Sequence, residues 1–156
     1  MNSLFQGLDT FNEDISQWEV SQVTDMSRMF YKAEAFNQDL SDWRVGKVNS
    51  MAFMFYGASS FNSYISVWNT TSVTDMSSMF AHASSFNQAI AAWDTSSVTD
   101  MSGMFFDATS FDRNLCAWGN NFPFDNAIGI FESSGCTFQD DPQPERRGPF
   151  CASSCV

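Results

Sequence analysis

The chain has 156 residues, of which 44% are hydrophobic and 16% are aromatic, enough to bury a sizeable core. Its 18 acidic and 7 basic residues give a formal charge of -11. This balance argues against nucleic acid and anionic membrane surfaces as partners, because both require clustered Lys and Arg. No apolar run approaches the roughly 20 residues that span a bilayer, so we expect no membrane insertion.

Large apolar residues recur along most of the chain at a fixed interval of 25 residues. The clearest columns are Phe11, Phe36, Phe61, Phe86 and Phe111, and Trp18, Trp43, Trp68, Trp93 and Trp118. A fixed period in this range is typical of proteins in which each unit contacts only its neighbours and the units stack around one continuous core. We therefore predict a repeat solenoid.

The repeat divides the chain into two predicted regions. Residues 1–118 form the stack, with four full units at 11–35, 36–60, 61–85 and 86–110 and partial units at both ends. Residues 119–156 lose the period and form an irregular C-terminal cap and tail that contains Cys and Pro. Because residues 1–10 are the rear half of a unit, with no recognisable cap or signal peptide, we expect a fragment of a longer array.

Each unit contains a segment whose spacing predicts a short helix. In the first full unit the apolar residues are Met26, Met29, Phe30 and Ala33, which is the i, i+3, i+4, i+7 pattern of one helical face. Side chains that could cap a helix N-terminus stand just before this segment in each unit: Thr24-Asp25, Asn49-Ser50, Thr74-Asp75 and Thr99-Asp100. The pattern predicts two or three helical turns per unit.

The other half of each unit predicts a short strand. Trp18 and Val20 alternate with the polar Gln17, Glu19 and Ser21, as in a half-buried strand with Trp18 and Val20 facing inward. Stacked on its equivalents about 4.8 Å away, this segment would form a parallel ladder. The predicted fold is an α/β repeat solenoid of the leucine-rich-repeat type, with strands on one face and helices on the other.

All four cysteines lie in the last third of the chain: Cys116, Cys136, Cys151 and Cys155. An even number confined to the aperiodic end is typical of a disulfide-stapled cap and of an oxidising compartment. Of the three possible pairings we favour Cys116–Cys136 and Cys151–Cys155. A zinc site is the alternative, but the spacing lacks the paired Cys-x2-Cys knuckles usual in such sites.

The unit resembles the BspA-like surface-protein repeat, a leucine-rich-repeat relative of 25 or 26 residues. The resemblance rests on a recurring phrase, seen at Phe36-Asn37-Gln38-Asp39-Leu40 with Trp43 and at Ser97-Val98-Thr99-Asp100-Met101-Ser102, and it covers roughly residues 1–118. The cysteine-rich end resembles that of members from unicellular algae. The resemblance implies secreted or cell-surface proteins, some of which act in adhesion and host-protein binding, and it implies no catalytic residues.

The predicted outward strand row is the candidate binding face. Its residues vary between units while the apolar positions are retained: Gln17, Glu19, Asp42, Arg44, Val67, Asn69, Ala92 and Asp94. Such variation suits a surface that recognises an extracellular protein or glycan, and it equally suits a neutral solvated surface. Asn69-Thr70-Thr71 is also an Asn-x-Thr sequon, and a glycan on Asn69 would block part of this face.

Two other kinds of site have less support. Asp25, Asp75 and Asp100 would stack as carboxylates suited to calcium, but Ser50 interrupts the row and helix capping explains it better. The single histidine, His82, is expected on the solvent face of its helix, without the partners that acid–base catalysis requires. We predict no enzyme, no cofactor and no metal. The expected function is extracellular or cell-surface recognition by a monomeric module, with a structural spacer and, more distantly, an uncharacterised hydrolase as alternatives.

Overall fold

The computed structural model describes residues 1–145 and 148–155. Across these residues the helical elements are two short 3-10 helices, Cys116–Asn120 and Phe124–Asn126, and no α-helix or extended strand is present. Isolated parallel bridges join the same position of successive units: Asp25 to Ser50, Ser50 to Asp75 and Asp75 to Asp100. The predicted α/β solenoid of strands and helices is therefore wrong, because the units consist of turns.

Backbone hydrogen bonds join one side of each unit to the next unit. The Phe30 N–H donates to the Met54 carbonyl oxygen at 2.9 Å. The Phe55 N–H donates to the Met79 carbonyl oxygen at the same distance. We call the segments linked in this way the ladder rows; they are residues 1–8, 26–33, 51–58, 76–83, 101–108 and 127–134.

The ladder rows coincide with the segments predicted to be helical. The Met29 N–H donates to the Met26 carbonyl oxygen at 3.2 Å, and the Ala33 N–H donates to that of Phe30 at 3.0 Å. These bonds reach back three residues and close four-residue turns, while the intervening N–H groups point to the neighbouring unit. The four apolar residues are all fully buried. The spacing thus identifies the buried positions correctly, although these residues form turns and not the predicted helix.

Each row holds two backbone positions in the left-handed region. Arg28 (φ 55°) and Lys32 (φ 57°) are each the third residue of a turn, where a positive φ is required. Glycine takes one of the same two positions in several other rows: Gly7, Gly57, Gly103 and Gly129. A non-glycine residue in this region costs roughly 1–2 kcal/mol. The hydrogen bonds to neighbouring units hold the backbone there.

The predicted helix caps are turn-forming side chains. The Asp25 carboxylate accepts the Ser27 N–H at 2.8 Å, and the Asp75 carboxylate accepts the Ser77 N–H at 2.9 Å. An acceptor that bonds the backbone two residues later is the geometry of an Asx-turn. The capping prediction is wrong because no helix follows, but the acidic side chain does accept a backbone N–H.

The segments predicted to be strands lie on the other side of each unit, which we call the loop side; it comprises residues 11–23, 36–48, 61–73 and 86–98. Within these four segments no backbone-to-backbone hydrogen bond joins successive units. Side chains make the links. The Trp68 indole N–H donates to the Leu40 carbonyl oxygen at 2.9 Å, 28 residues earlier, and Trp43 and Trp93 make equivalent bonds at 3.1 Å.

The core between the two sides is a column of stacked aromatic rings. The Phe55 ring stacks on Phe61, six residues later, and on Phe80, 25 residues later, with centroid distances of 3.8 Å and 5.7 Å. Trp18, predicted to face inward, is 42% exposed because none of the described residues forms a loop segment on its outer side, whereas its equivalents are at most 4% exposed: Trp43, Trp68, Trp93 and Trp118. Burial of the Trp column therefore depends on stacking.

The ladder continues past residue 118. The Phe105 N–H donates to the Ile130 carbonyl oxygen at 2.9 Å, and the Phe131 ring stacks on Phe105 at 5.9 Å. In this last row the Gly129 N–H, at the position that would donate to a further unit, donates instead to the Asp141 carboxylate at 2.8 Å. A side chain of the C-terminal segment thus closes that part of the ladder.

All four cysteines are in disulfides, as predicted, but the favoured pairing is wrong. The bonds are Cys116–Cys155 and Cys136–Cys151. The Cα atoms of Cys136 and Cys151 are 4.6 Å apart, because the C-terminal segment folds back over the end of the stack. Arg146 and Arg147, predicted to lie in a loop or tail, are outside the described residues.

Candidate functional site

The eight residues of the predicted binding face are all exposed on the loop side. Gln17, Glu19, Asp42 and Arg44 line a shallow depression of about 200 Å³. Asp42, Arg44, Val67 and Asn69 line an adjoining depression of about 420 Å³. Arg44 belongs to both. The structure therefore brings together the face residues of the first three full units, while Ala92 and Asp94 lie beyond these two depressions.

One column of the predicted face has a structural role in three of four units. Glu19, Asn69 and Asp94 each accept a hydrogen bond from the backbone N–H two residues later, at 2.9, 3.2 and 2.9 Å. The acceptor stabilises the turn in these three units, so this column varies less freely than the sequence suggests. Arg44 is the exception. The residues left to vary without such a bond are Gln17, Asp42, Val67 and Ala92.

The same hydrogen bonds set the charge of the two acidic members of this column. The side chain and N–H of Ser21, with a smaller contribution from the positive charge of Arg44, hold the pKa of Glu19 below its usual value. The side chain and N–H of Ser96 lower the pKa of Asp94 in the same way. These hydrogen bonds favour the ionised form, because a carboxylate is a stronger hydrogen-bond acceptor than the protonated acid.

The predicted sequon is folded into a turn. Asn69 is exposed, and its side-chain oxygen accepts the Thr71 hydroxyl at 2.7 Å. Its amide nitrogen lies over Gly46 of the preceding unit, 3.2 Å from where a Cβ on that glycine would stand. Glycosylation of Asn69 stays a prediction.

The stacked carboxylates do not converge on a point. Asp25, Asp75 and Asp100 each accept an N–H within their own turn. Burial raises the pKa of Asp25, but hydrogen bonds from Ser27 and Asn2 outweigh it and lower the pKa overall. Among the residues that the structure describes, no group of three or more His, Cys, Asp or Glu side chains is placed to hold a metal ion.

His82 is not on a helix, which corrects the prediction. It lies in a ladder row, is 37% exposed, and its Nδ1 is 2.9 Å from the Asp107 carboxylate of the next unit. A histidine oriented by a carboxylate is one part of a Ser-His-Asp triad. Within the described part of the chain, however, the bond to Asp107 is the one hydrogen bond that the ring makes. A nucleophile in contact with the imidazole is therefore missing from this geometry.

Sequence reasoning missed a second surface, the outward side of the ladder rows, which we call the ladder face. Tyr31 and Tyr56 stack there at 4.8 Å, and the Lys32 ammonium lies 5.7 Å from the Tyr31 ring centre. His82 contacts Tyr56 edge-on at 5.0 Å and Phe106 edge-on at 5.4 Å. The signal was present in the sequence, because Tyr31, Tyr56 and Phe106 recur at intervals of 25 and 50 residues within the segments predicted to be helical.

The family model described as "Mycoplasma protein of unknown function, DUF285" matches residues 1–68 and 40–141 of the chain. This is the model for BspA-like surface repeat proteins, so the resemblance inferred from the repeat phrase is confirmed at the level of the family. No curated protein and no solved structure matches the chain. No helix within the described residues is both long and apolar enough to cross a membrane.

Proposed function

The chain belongs to the DUF285 family of surface repeat proteins, and on that basis we propose that it is a non-catalytic recognition module of the cell surface or extracellular space. The two disulfides support this location, because such bonds persist in oxidising compartments. The proposal includes a cysteine-rich end of the kind found on algal members. It also includes a monomeric chain that belongs to a longer array.

The proposed binding site is the pair of depressions around Arg44. Arg44 lines both depressions and, within the described residues, makes no ion pair. Val67 beside it is 56% exposed. Arginine is one of the residue types enriched among those that dominate binding energy at protein interfaces. The availability of Arg44 is the observation that carries the proposal, and the partner is an extracellular protein or glycan.

An affinity screen against extracellular proteins and glycans, followed by substitution, tests this proposal. For any partner found, Arg44→Ala should weaken binding by about fivefold or more, as interface arginines commonly do. Arg28→Ala is the matched control, because it removes the same charge from the ladder side. If Arg28→Ala weakens binding equally, or if Arg44→Ala has no effect, the loop side is not the site.

A structural spacer is the second candidate. It is favoured by the turn-forming role of Glu19, Asn69 and Asp94, which explains part of the face without a ligand. Failure of the whole screen, with the protein folded, would support it. An uncharacterised hydrolase is a more distant candidate supported by the His82–Asp107 pair. If hydrolytic activity persists in both His82→Ala and Asp107→Asn, this pair is not the site of a hydrolase.

A further inference from the structure

We propose that the ladder face carries a second binding site, for a neutral saccharide, in a depression over Gly57. The depression has a volume of about 470 Å³ and is lined by Lys32, Glu34, Tyr56, Gly57, Ser59 and His82. It lies on the ladder side of the second, third and fourth ladder rows. The site is separate from the proposed Arg44 site and does not depend on it.

A missing side chain creates the depression. Successive ladder rows place Lys32, Gly57 and His82 at the same backbone position, all with positive φ. A Cβ on Gly57 would stand 3.3 Å from the Lys32 Cγ, so the lysine stem forms one wall directly beside the glycine. Because lysine and histidine occupy this position in the adjoining rows, the backbone does not require glycine there. The gap is a property of this surface rather than of the fold.

An incompletely covered aromatic ring forms the second wall. Tyr56 is stacked on Tyr31 on one side, but the equivalent residue on its other side is Ala81, which is 2% exposed. The edge of His82 is the nearest ring there, at 5.0 Å from Tyr56, and Phe106 lies beyond it. Part of the Tyr56 face is therefore left for an apolar group. The C–H groups on one side of a pyranose ring pack on aromatic faces in this way, while its hydroxyls stay free for hydrogen bonds.

The polar groups around the depression select against a charged ligand. Lys32 opposes a cation, and Glu34 opposes an anion, as does the net charge of -11. The Tyr56 and Ser59 hydroxyls can each donate and accept hydrogen bonds. A neutral ligand with many hydroxyls uses all of these groups, because each hydroxyl also donates and accepts. Aromatic surface with a few placed polar groups is the usual composition of a small-ligand site.

His82 supplies a direct test, because it is the only histidine in the chain. Its ring resonances in an NMR spectrum of the full chain report this site without further assignment. The probes are neutral hexasaccharides of glucose, mannose, galactose and N-acetylglucosamine, with hexagalacturonate as the anionic comparison. We expect at least one neutral probe to shift the His82 resonances saturably, and hexagalacturonate to shift them less. If no neutral probe shifts them, or if the anionic probe binds more tightly, the proposal is overturned.

Two variants and a matched control locate the binding. Tyr56→Ala should weaken it about tenfold or more, as loss of an aromatic anchor does. Gly57→Asn should weaken it similarly by filling the depression, and asparagine tolerates a positive φ. Tyr64→Ala is the control, because Tyr64 is 53% exposed but lies outside the depression. This variant should change affinity less than twofold. Equal loss in Tyr64→Ala, or full binding by Gly57→Asn, would contradict the site. Arg44→Ala should leave it unchanged, which separates this proposal from the loop-side one.

Discussion

The ladder side and the loop side join the same units by different means. On the ladder side backbone N–H groups make the bonds, so one position can hold Arg28, Phe53 or Ser78 without loss of contact. On the loop side the bonds need particular side chains, such as the Trp68 indole and the Asn62 carboxamide. The loop side therefore stabilises the stack through residue identity, whereas the ladder side is free to acquire new surface residues.

The largest expected effect is on the loop side, at the Trp column. Trp68→Ala should lower the free energy of unfolding by roughly 3–5 kcal/mol, because it removes a buried ring and its hydrogen bond to the Leu40 carbonyl. Trp18→Ala changes the same side chain where it is 42% exposed and should cost less than about 1.5 kcal/mol. Chemical denaturation measures both. Equal losses would mean that stacking does not bury this column as described.

A smaller effect is expected at the asparagine column of the loop side. The Asn62 side-chain oxygen accepts the Asn87 N–H at 2.9 Å and the Gln88 amide at 3.1 Å, and Asn37 and Asn12 repeat the first of these bonds. Asn62→Ala should lower the free energy of unfolding by about 0.5–1.5 kcal/mol, since it removes these hydrogen bonds at a position that solvent reaches.

The neighbouring Ser60 gives the control for that column. Its exposed side chain makes no hydrogen bond to a described residue. Ser60→Ala should therefore change stability by no more than about 0.5 kcal/mol. A loss as large as that of Asn62→Ala would show that the asparagine bonds contribute nothing specific.

A change in the opposite direction is expected on the ladder side. Ser78 has φ 51°, at the position where Gly103 has φ 59°. Ser78→Gly should raise the unfolding free energy by up to about 1 kcal/mol, because glycine adopts this conformation without steric cost. Ser77→Gly is the control, since it removes a hydroxyl bonded to Asp75 and should destabilise the fold. Thermal unfolding of both variants measures these changes. If Ser78→Gly destabilises the fold, the positive φ of Ser78 is not a source of strain.

The smallest effect is a pH dependence from the loop-side turns. The pKa values of Glu19 and Asp94 are lower in the folded chain than in the unfolded chain. Their contribution to stability is therefore fully present above the unfolded-state pKa and is lost as the pH falls through the folded-state pKa. Glu19→Gln with Asp94→Asn should flatten the dependence of stability on pH in this acidic range, because the substituted side chains do not titrate, and should lower stability at neutral pH. An NMR titration in which both carboxylates show ordinary pKa values would contradict it.

The helix prediction failed for an identifiable reason. A helix and a succession of four-residue turns would bury the same residues of this segment, namely Met26, Met29, Phe30 and Ala33. The spacing of apolar residues indicates which side chains face inward, but it does not indicate which carbonyl groups accept the hydrogen bonds of the backbone N–H groups. The recurrence of glycine at Gly7 and Gly57, in the middle of a predicted helix, was the available signal for left-handed turns.

The disulfide pairing failed for a different reason. The spacing of Cys116, Cys136, Cys151 and Cys155 was compatible with three pairings, and nearest neighbours along the chain were favoured. The pairing follows from the path of the C-terminal segment, which packs Cys151 into the buried end of the stack. The contact of His82 with Asp107 likewise joins adjacent units, 25 residues apart in sequence. It could have been found only by aligning one unit on the next.

Residue type and spacing were sufficient to predict the 25-residue unit, the buried Phe, Met and Trp positions, the family and the presence of disulfides, because burial and repetition depend directly on them. The turns, the cysteine pairs and the depression over Gly57 depend on tertiary structure. The backbone of one unit satisfies its hydrogen bonds on the next, so its conformation depends on a neighbour that local pattern does not describe.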